Sequence, residues 1–161
     1  MIVLGLMKTM SLAMLALVLP LQADRVKELD AFWVEVSRSV KEGDFEGYKA
    51  TCHPDAVLVS GKKKTSYAIT QALEGWKEGF EDTKAGKMKA SVEFRFFKRV
   101  GDATTAHETG MFKYTSSKGE GIPQTAYIHF IALLVKKEKW LVLMENQISE
   151  GTEQEWNQLR D

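Results

Sequence analysis

The chain predicts an α+β domain, and three observations predict it. Apolar residues recur every three to four positions before Lys84 and every two positions after Met88, so the helical part precedes the stranded part. The later half reads as four long strands in succession joined by short connections, which argues for an antiparallel sheet rather than a wound parallel one. Its last two strands, Thr125 to Val135 and Trp140 to Ser149, are separated only by the charged reversal Lys136-Lys137-Glu138-Lys139 and read as a hairpin. No repeat, low-complexity tract or second domain interrupts the 161 residues.

From Asp24 to Lys41, Val26, Leu29, Phe32 with Trp33, Val36 and Val40 mark one face of a helix, with Asp24 as its expected N-cap and Gly43 just past its end. Asp44 caps a short second helix carrying Phe45 and Tyr48. His53-Pro54-Asp55 ends it, because the residue before a proline is driven out of helical geometry. Ala56 to Val59 is a brief strand, and Lys62-Lys63-Lys64 a solvated loop. Thr65 or Ser66 is the expected cap of a third helix with Ile69, Leu73, Trp76 and Phe80 on one stripe. Gly75 and Gly79 each weaken that helix by about 1 kcal/mol relative to alanine. In the strand from Met88 to Val100, Val92, Phe94 and Phe96 alternate with Glu93, Arg95 and Phe97. Gly101-Asp102 turns the chain into a strand from Ala103 to Thr115, and Ser116 to Pro123 is the loosest connection. After the closing hairpin, Thr152 to Leu159 forms a terminal helical turn with Trp156 docking back.

The start of the chain reads as an address. Met1 to Pro20 is apolar apart from Lys8, Thr9 and Ser11, and Ala23 is followed at once by charged residues, the layout of a secretory signal over residues 1–23 that leaves a single domain over 24–161. A retained anchor and a buried core helix are the alternatives. The apolar run, Met10 to Leu19 with Ser11 near its start, is short against the about twenty residues that a span needs. A periplasmic or secreted protein, free of the membrane once cleaved, is the expectation. The 22 basic and 22 acidic residues cancel, which disfavours nucleic acid as a partner. Cys52 is the single cysteine, so no internal disulfide forms. Although His53 adjoins it, neighbours on a chain rarely face each other, and a lone cysteine is usually a small buried apolar residue.

Three stretches carry a resemblance: Lys41-Glu42-Gly43-Asp44-Phe45-Glu46-Gly47-Tyr48, His53-Pro54-Asp55-Ala56-Val57, and Lys139-Trp140-Leu141-Val142 through Ser149. In this order and spacing the chain resembles the nuclear transport factor two-like superfamily over about Arg25 to Ser149. That superfamily includes ketosteroid isomerases, scytalone dehydratase and SnoaL-type polyketide cyclases. The resemblance implies a cone-shaped roll, a curved antiparallel or mixed sheet wrapped around three helices, with a pocket on the concave side and frequently a dimer through sheet surface. It does not carry one reaction, since the fold hosts many. The isomerases place an aspartate base at the end of the first strand, where this chain has Val59-Ser60-Gly61. Dehydratase-like sites gather Tyr, His and acidic groups around a water, and here Tyr48, His107, Tyr127, His129 and Glu145 are available.

If the four long strands pair in sequence, alternation places Glu93, Arg95, His107, Thr109, Tyr127, His129, Glu145 and Gln147 on one face. Polar groups there must be hydrogen-bonded to one another or line a pocket. His129 or His107, oriented by Glu145 with Tyr127 as donor, is the candidate acid–base set. Trp33, Tyr48, Trp76 and Phe80, with Arg95 and Gln147, are the candidate ligand-binding set; core packing is the alternative for the aromatics. His107, His129 and Glu145 lie on separate strands without a compact ligand motif, so neither metal nor cofactor is expected. Ile128, Phe130 and Val142, opposite the polar set, are the expected dimer surface. Two functions remain: a dimer holding a small, partly apolar ligand, or an enzyme of dehydration, isomerisation or cyclisation moving a proton through His, Tyr and Glu.

Overall fold

The computed structural model describes the backbone of residues 10–159, with side chains described from Asp24 onward. The elements run α1 (Met10–Glu42), α2 (Phe45–Lys49), β1 (Cys52–Ser60), β2 (Thr65–Ala68), α3 (Ile69–Lys84), β3 (Met88–Gly101), β4 (Thr105–Lys118), β5 (Gln124–Lys136), β6 (Trp140–Glu150) and α4 (Glu153–Gln158). The six strands form one curved sheet in the order β2-β1-β6-β5-β4-β3. After the β1–β2 hairpin, α3 carries the chain across to the far edge. The β3-to-β6 meander then returns until β6 lies beside β1, and that single pairing is parallel. The sheet is therefore mixed, wrapped as a cone around its helices.

Two boundaries differ from expectation. The α1 helix is already under way before Asp24, so Asp24 caps nothing; the expected signal segment lies outside the residues with described side chains. Among the described residues no helix is long and apolar enough to cross a membrane. Thr65 and Ser66 do not cap α3 but form β2, facing Ser60 and Val59 across the hairpin, and α3 starts at Ile69 without a side-chain cap. The end of α1 is as read. Gly43 sits at φ +66°, its N–H bonding Val40 O (3.3 Å) and that of Asp44 bonding Ser39 O (2.9 Å), the paired closure of a left-handed helix end. Asp44 then accepts from Gly47 N at 2.9 Å to start α2.

The core is split in two, and the split makes room for a site. Leu29, Phe32, Trp33 and Val36 of α1 pack on Val92, Ala106, Phe130, Ala132, Leu134 and Val142 of the sheet. Ile69, Ala72 and Leu73 of α3 pack separately on Ala56 and Leu58 of β1. Two buried indoles are tied to carboxylates: Trp33 Nε1 donates to Glu108 (2.7 Å) and Trp140 Nε1 to Glu28 (2.8 Å). Glu108 also accepts from Arg99 at 2.7 and 3.1 Å, so this wholly buried carboxylate is paired on both oxygens.

These contacts identify the helix-covered face and overturn one expectation. Ile128, Phe130 and Val142 belong to the inner face: Phe130 and Val142 are core residues and Ile128 borders the cavity described below. They are not surface available to a second copy. The reason lies in α1 and α3, whose apolar stripes both need an apolar sheet face beneath them.

Candidate functional site

Between the two core clusters lies a cavity of about 500 Å³. Its sheet side is built by alternation: Ala90, Val92 and Phe94 from β3, Phe112 and Tyr114 from β4, Ala126 and Ile128 from β5, and Glu145 and Gln147 from β6. Its helix side is Val36 and Val40 of α1, Tyr48 of α2, and the face of α3 formed by Gly75, Trp76, Gly79, Phe80 and Thr83. Tyr48 is held by rings on both sides, edge-on to Trp76 at 6.0 Å and tilted against Phe80 at 5.1 Å. The lining is mostly aromatic and aliphatic, with few polar groups, the usual composition of a small-molecule site.

Glu145 is the one acid among those lining residues, and no basic residue lies among them. Gln147 Nε2 donates to its Oε1 at 2.8 Å. Burial pushes the Glu145 carboxyl above its ordinary value, and the Gln147 bond offsets part of that rise. The same enclosure raises the Tyr48 hydroxyl well above the usual phenol range, with the nearby Glu145 charge and Cys52 adding to it. Burial pushes the Cys52 thiol up to about 11, opposed by its contact with Thr51, so it is a protonated residue packed on the second core cluster rather than a nucleophile. The Thr83 hydroxyl is turned back onto its own helix, donating to Gly79 O at 2.8 Å. What remains for an occupant is one carboxyl leaning toward its protonated form, the two phenols of Tyr48 and Tyr114, and an amide on an apolar background.

Of the residues named from sequence, Tyr48, Trp76, Phe80, Glu145 and Gln147 meet here. The expected acid–base set does not converge. His107, Tyr127 and His129 alternate with the inner residues Glu108, Ile128 and Phe130 and so occupy the opposite face of the sheet. There His107 pairs across to Val100 and Leu133, and His129 Nε2 lies 3.4 Å from Glu155 of α4. Tyr127 stacks obliquely on Trp156 at 6.1 Å. Arg95 is on that outer face too, its guanidinium 4.5 Å from the Trp156 ring and donating to Trp156 O at 2.9 Å, so α4 docks back as expected but over these groups. Trp33 is core, packed on Phe94, Phe96 and Phe130.

The physical reason is an irregularity in β6. Leu134 pairs with Val142 but Leu133 pairs with Met144, leaving Leu143 as an extra residue. Strict alternation would put Val142 and Glu145 on opposite faces; the bulge puts both inside. Phe94, Phe112 and Tyr114 were not anticipated as lining. Their signal was the aromatic run on β3 and its partners, which a sheet face facing two amphipathic helices must supply. Among the described residues no three His, Cys, Asp or Glu side chains gather as a metal would require.

Comparison with known proteins places the architecture. No family model and no curated protein matches the chain. Solved structures do. A candidate scytalone dehydratase from Novosphingobium aromaticivorans superposes with a TM-score of 0.66 at 11% identity, over 83% of this chain and 88% of that one. A conserved protein from Planctomyces limnophilus gives 0.64 at 9% identity, over 77% and 94%. A nuclear transport factor two-like protein from Shewanella oneidensis gives 0.58 at 14%, over 76% and 97%. The chain has the nuclear transport factor two-like fold.

Proposed function

We propose that this protein binds a small, largely apolar molecule in the cavity between α1, α3 and the sheet, with Glu145 as its polar anchor. The observation that carries the reading is the acid itself. A carboxyl placed in an aromatic hollow with no basic lining residue is costly unless something polar completes it, and Gln147 satisfies only one of its oxygens. The leaning toward the protonated form suits a ligand offering a carbonyl or hydroxyl oxygen as acceptor at one end and rings or chains at the other. Mass spectrometry of small molecules released from protein purified out of its native host tests this. Recovery of a compound that the Glu145→Gln variant retains poorly supports it. An empty wild type that also takes up no hydrophobic probe argues against it.

A second reading, proton transfer on the bound molecule, is favoured by the same pair of groups. Glu145, held partly desolvated, and the Tyr48 hydroxyl beside it are placed to donate to or accept from one ligand, as a dehydratase or isomerase needs. The similar fold of a candidate scytalone dehydratase supports it by analogy alone. The test is turnover at saturating ligand: Glu145→Gln would abolish it even where its weakened binding site is filled. We propose also that the chain is exported and pairs with a second copy through the outer sheet face. N-terminal sequencing of the mature protein and sedimentation respectively test those two points.

A further inference from the structure

Two glycines of α3 have no explanation in the packing of the protein. Gly75 and Gly79 are helical, neither carries a left-handed φ, and both border the cavity. A Cβ built on Gly75 meets nothing within 4 Å, and one on Gly79 meets only the Met88 methyl at 3.5 Å, an ordinary contact. By contrast Gly43 would drive a Cβ to 2.4 Å from Lys84 N. Glycine inside a helix is unfavourable, because it frees the unfolded chain and fills no space. Alanine at 75 and 79 would therefore suit the folded protein alone better, and the space beside both glycines is left open toward the cavity.

We infer that Gly75 and Gly79 form a contact surface for the cavity's occupant and set the thickness of the molecule admitted. Four residues apart, they lie on one face of α3 about 6 Å apart along its axis. Trp76 and Phe80 flank this bare backbone on the helix, while Phe94 and Phe112, ring centres 6.2 Å apart, face the cavity from the sheet. A surface of helix backbone set against aromatic rings suits a flat ring system that slides in face-on, with its polar end at Glu145 and Gln147. The Thr83 hydroxyl, bonded to Gly79 O, leaves this stretch without a free donor and keeps the surface apolar. Gly79 lies deeper than Gly75, which is exposed at the rim, so a methyl at 79 obstructs the occupant more.

This inference rests on the ligand-binding reading above, and one experiment separates their failures. The full chain is titrated with Nile red, a flat neutral probe with a carbonyl, as wild type, Gly75→Ala, Gly79→Ala and Leu133→Asp, the last altering only the outer face. Wild type and Leu133→Asp are expected to bind with similar affinity. Gly79→Ala should weaken binding on the order of tenfold and Gly75→Ala less, since an added methylene in a fitted space is felt. Both glycine variants should melt about 2 to 4 °C higher, reporting an intact and firmer helix. Unchanged affinity in both glycine variants, or a fall in melting temperature, overturns the inference while the pocket reading stands. Loss of binding in Leu133→Asp places the probe outside the cavity and overturns it as well. No binding by wild type removes the pocket reading and this inference together.

Discussion

Glu145 shows how one residue can report on its surroundings through pH. Its carboxyl is raised above the ordinary 4.5 by burial, so the folded state holds the proton more tightly than the unfolded chain does. Protonation therefore favours folding. The contribution is intact below the ordinary value and is lost as pH rises through the raised folded value. Glu145→Gln keeps an oxygen to accept from Gln147 and has no charge to bury. The advantage of this variant in melting temperature over wild type should accordingly grow from pH 4 to pH 8, by calorimetry across that range. A constant difference would mean that Glu145 is solvated. Glu108 is the contrasting acid, fully buried yet met by Trp33 Nε1 and the Arg99 fork. Glu108→Ala strands both donors and should cost about 3 kcal/mol in urea unfolding, as expected when one partner of a buried pair is removed.

At the level of elements, what could be read from the sequence was period and punctuation. The α1 stripe, the Gly43-Asp44 junction, the long strands and the Trp156 turn were all visible, because each is encoded by neighbours in the chain. What was hidden depends on pairing. No local feature says that Thr65 and Ser66 spend themselves on β2, or that Leu143 is an extra residue in β6. That second detail decides the site, since it lets Val142 and Glu145 share a face. Of the ten site residues named from their chemistry, five border the cavity: Tyr48, Trp76, Phe80, Glu145 and Gln147. The histidines were assigned to the wrong side because alternation tells which residues share a face and not which face is covered. Deleting Leu143 tests the account: restored alternation must turn outward either Trp140 and Val142, both core, or Glu145 and Gln147. The expected result is a protein that either fails to fold or folds without binding Nile red. A stable deletion variant with normal uptake would contradict the bulge's role.

For the whole molecule, the outer face of the sheet is the surface left to account for. The α4 helix covers one end of it, where Arg95, Met111, Tyr127 and His129 meet Trp156 and the segment before it. Beyond that end, Ile131, Leu133, Val135, Leu141 and Met144 follow one another across β5 and β6, none fully buried, with Val57 and Val100 exposed nearby. An apolar strip of this extent is the kind of surface that partners cover in other proteins, and it is the basis of the pairing proposed above. A second copy is the simplest occupant: equal numbers of acidic and basic residues leave no net repulsion to oppose pairing. A stable interface needs about 800 Å² from each partner, which an open sheet face can supply. Sedimentation velocity at about 10 μM should therefore give a dimer, and Leu133→Asp, which sets a carboxylate at the middle of the strip, should give a monomer with unchanged circular dichroism. A wild type that remains monomeric to about 100 μM would mean that this face is not where copies meet. The cavity opens on the other side of the sheet, so Nile red affinity should be the same in the dimer and in the Leu133→Asp monomer, separating assembly from binding.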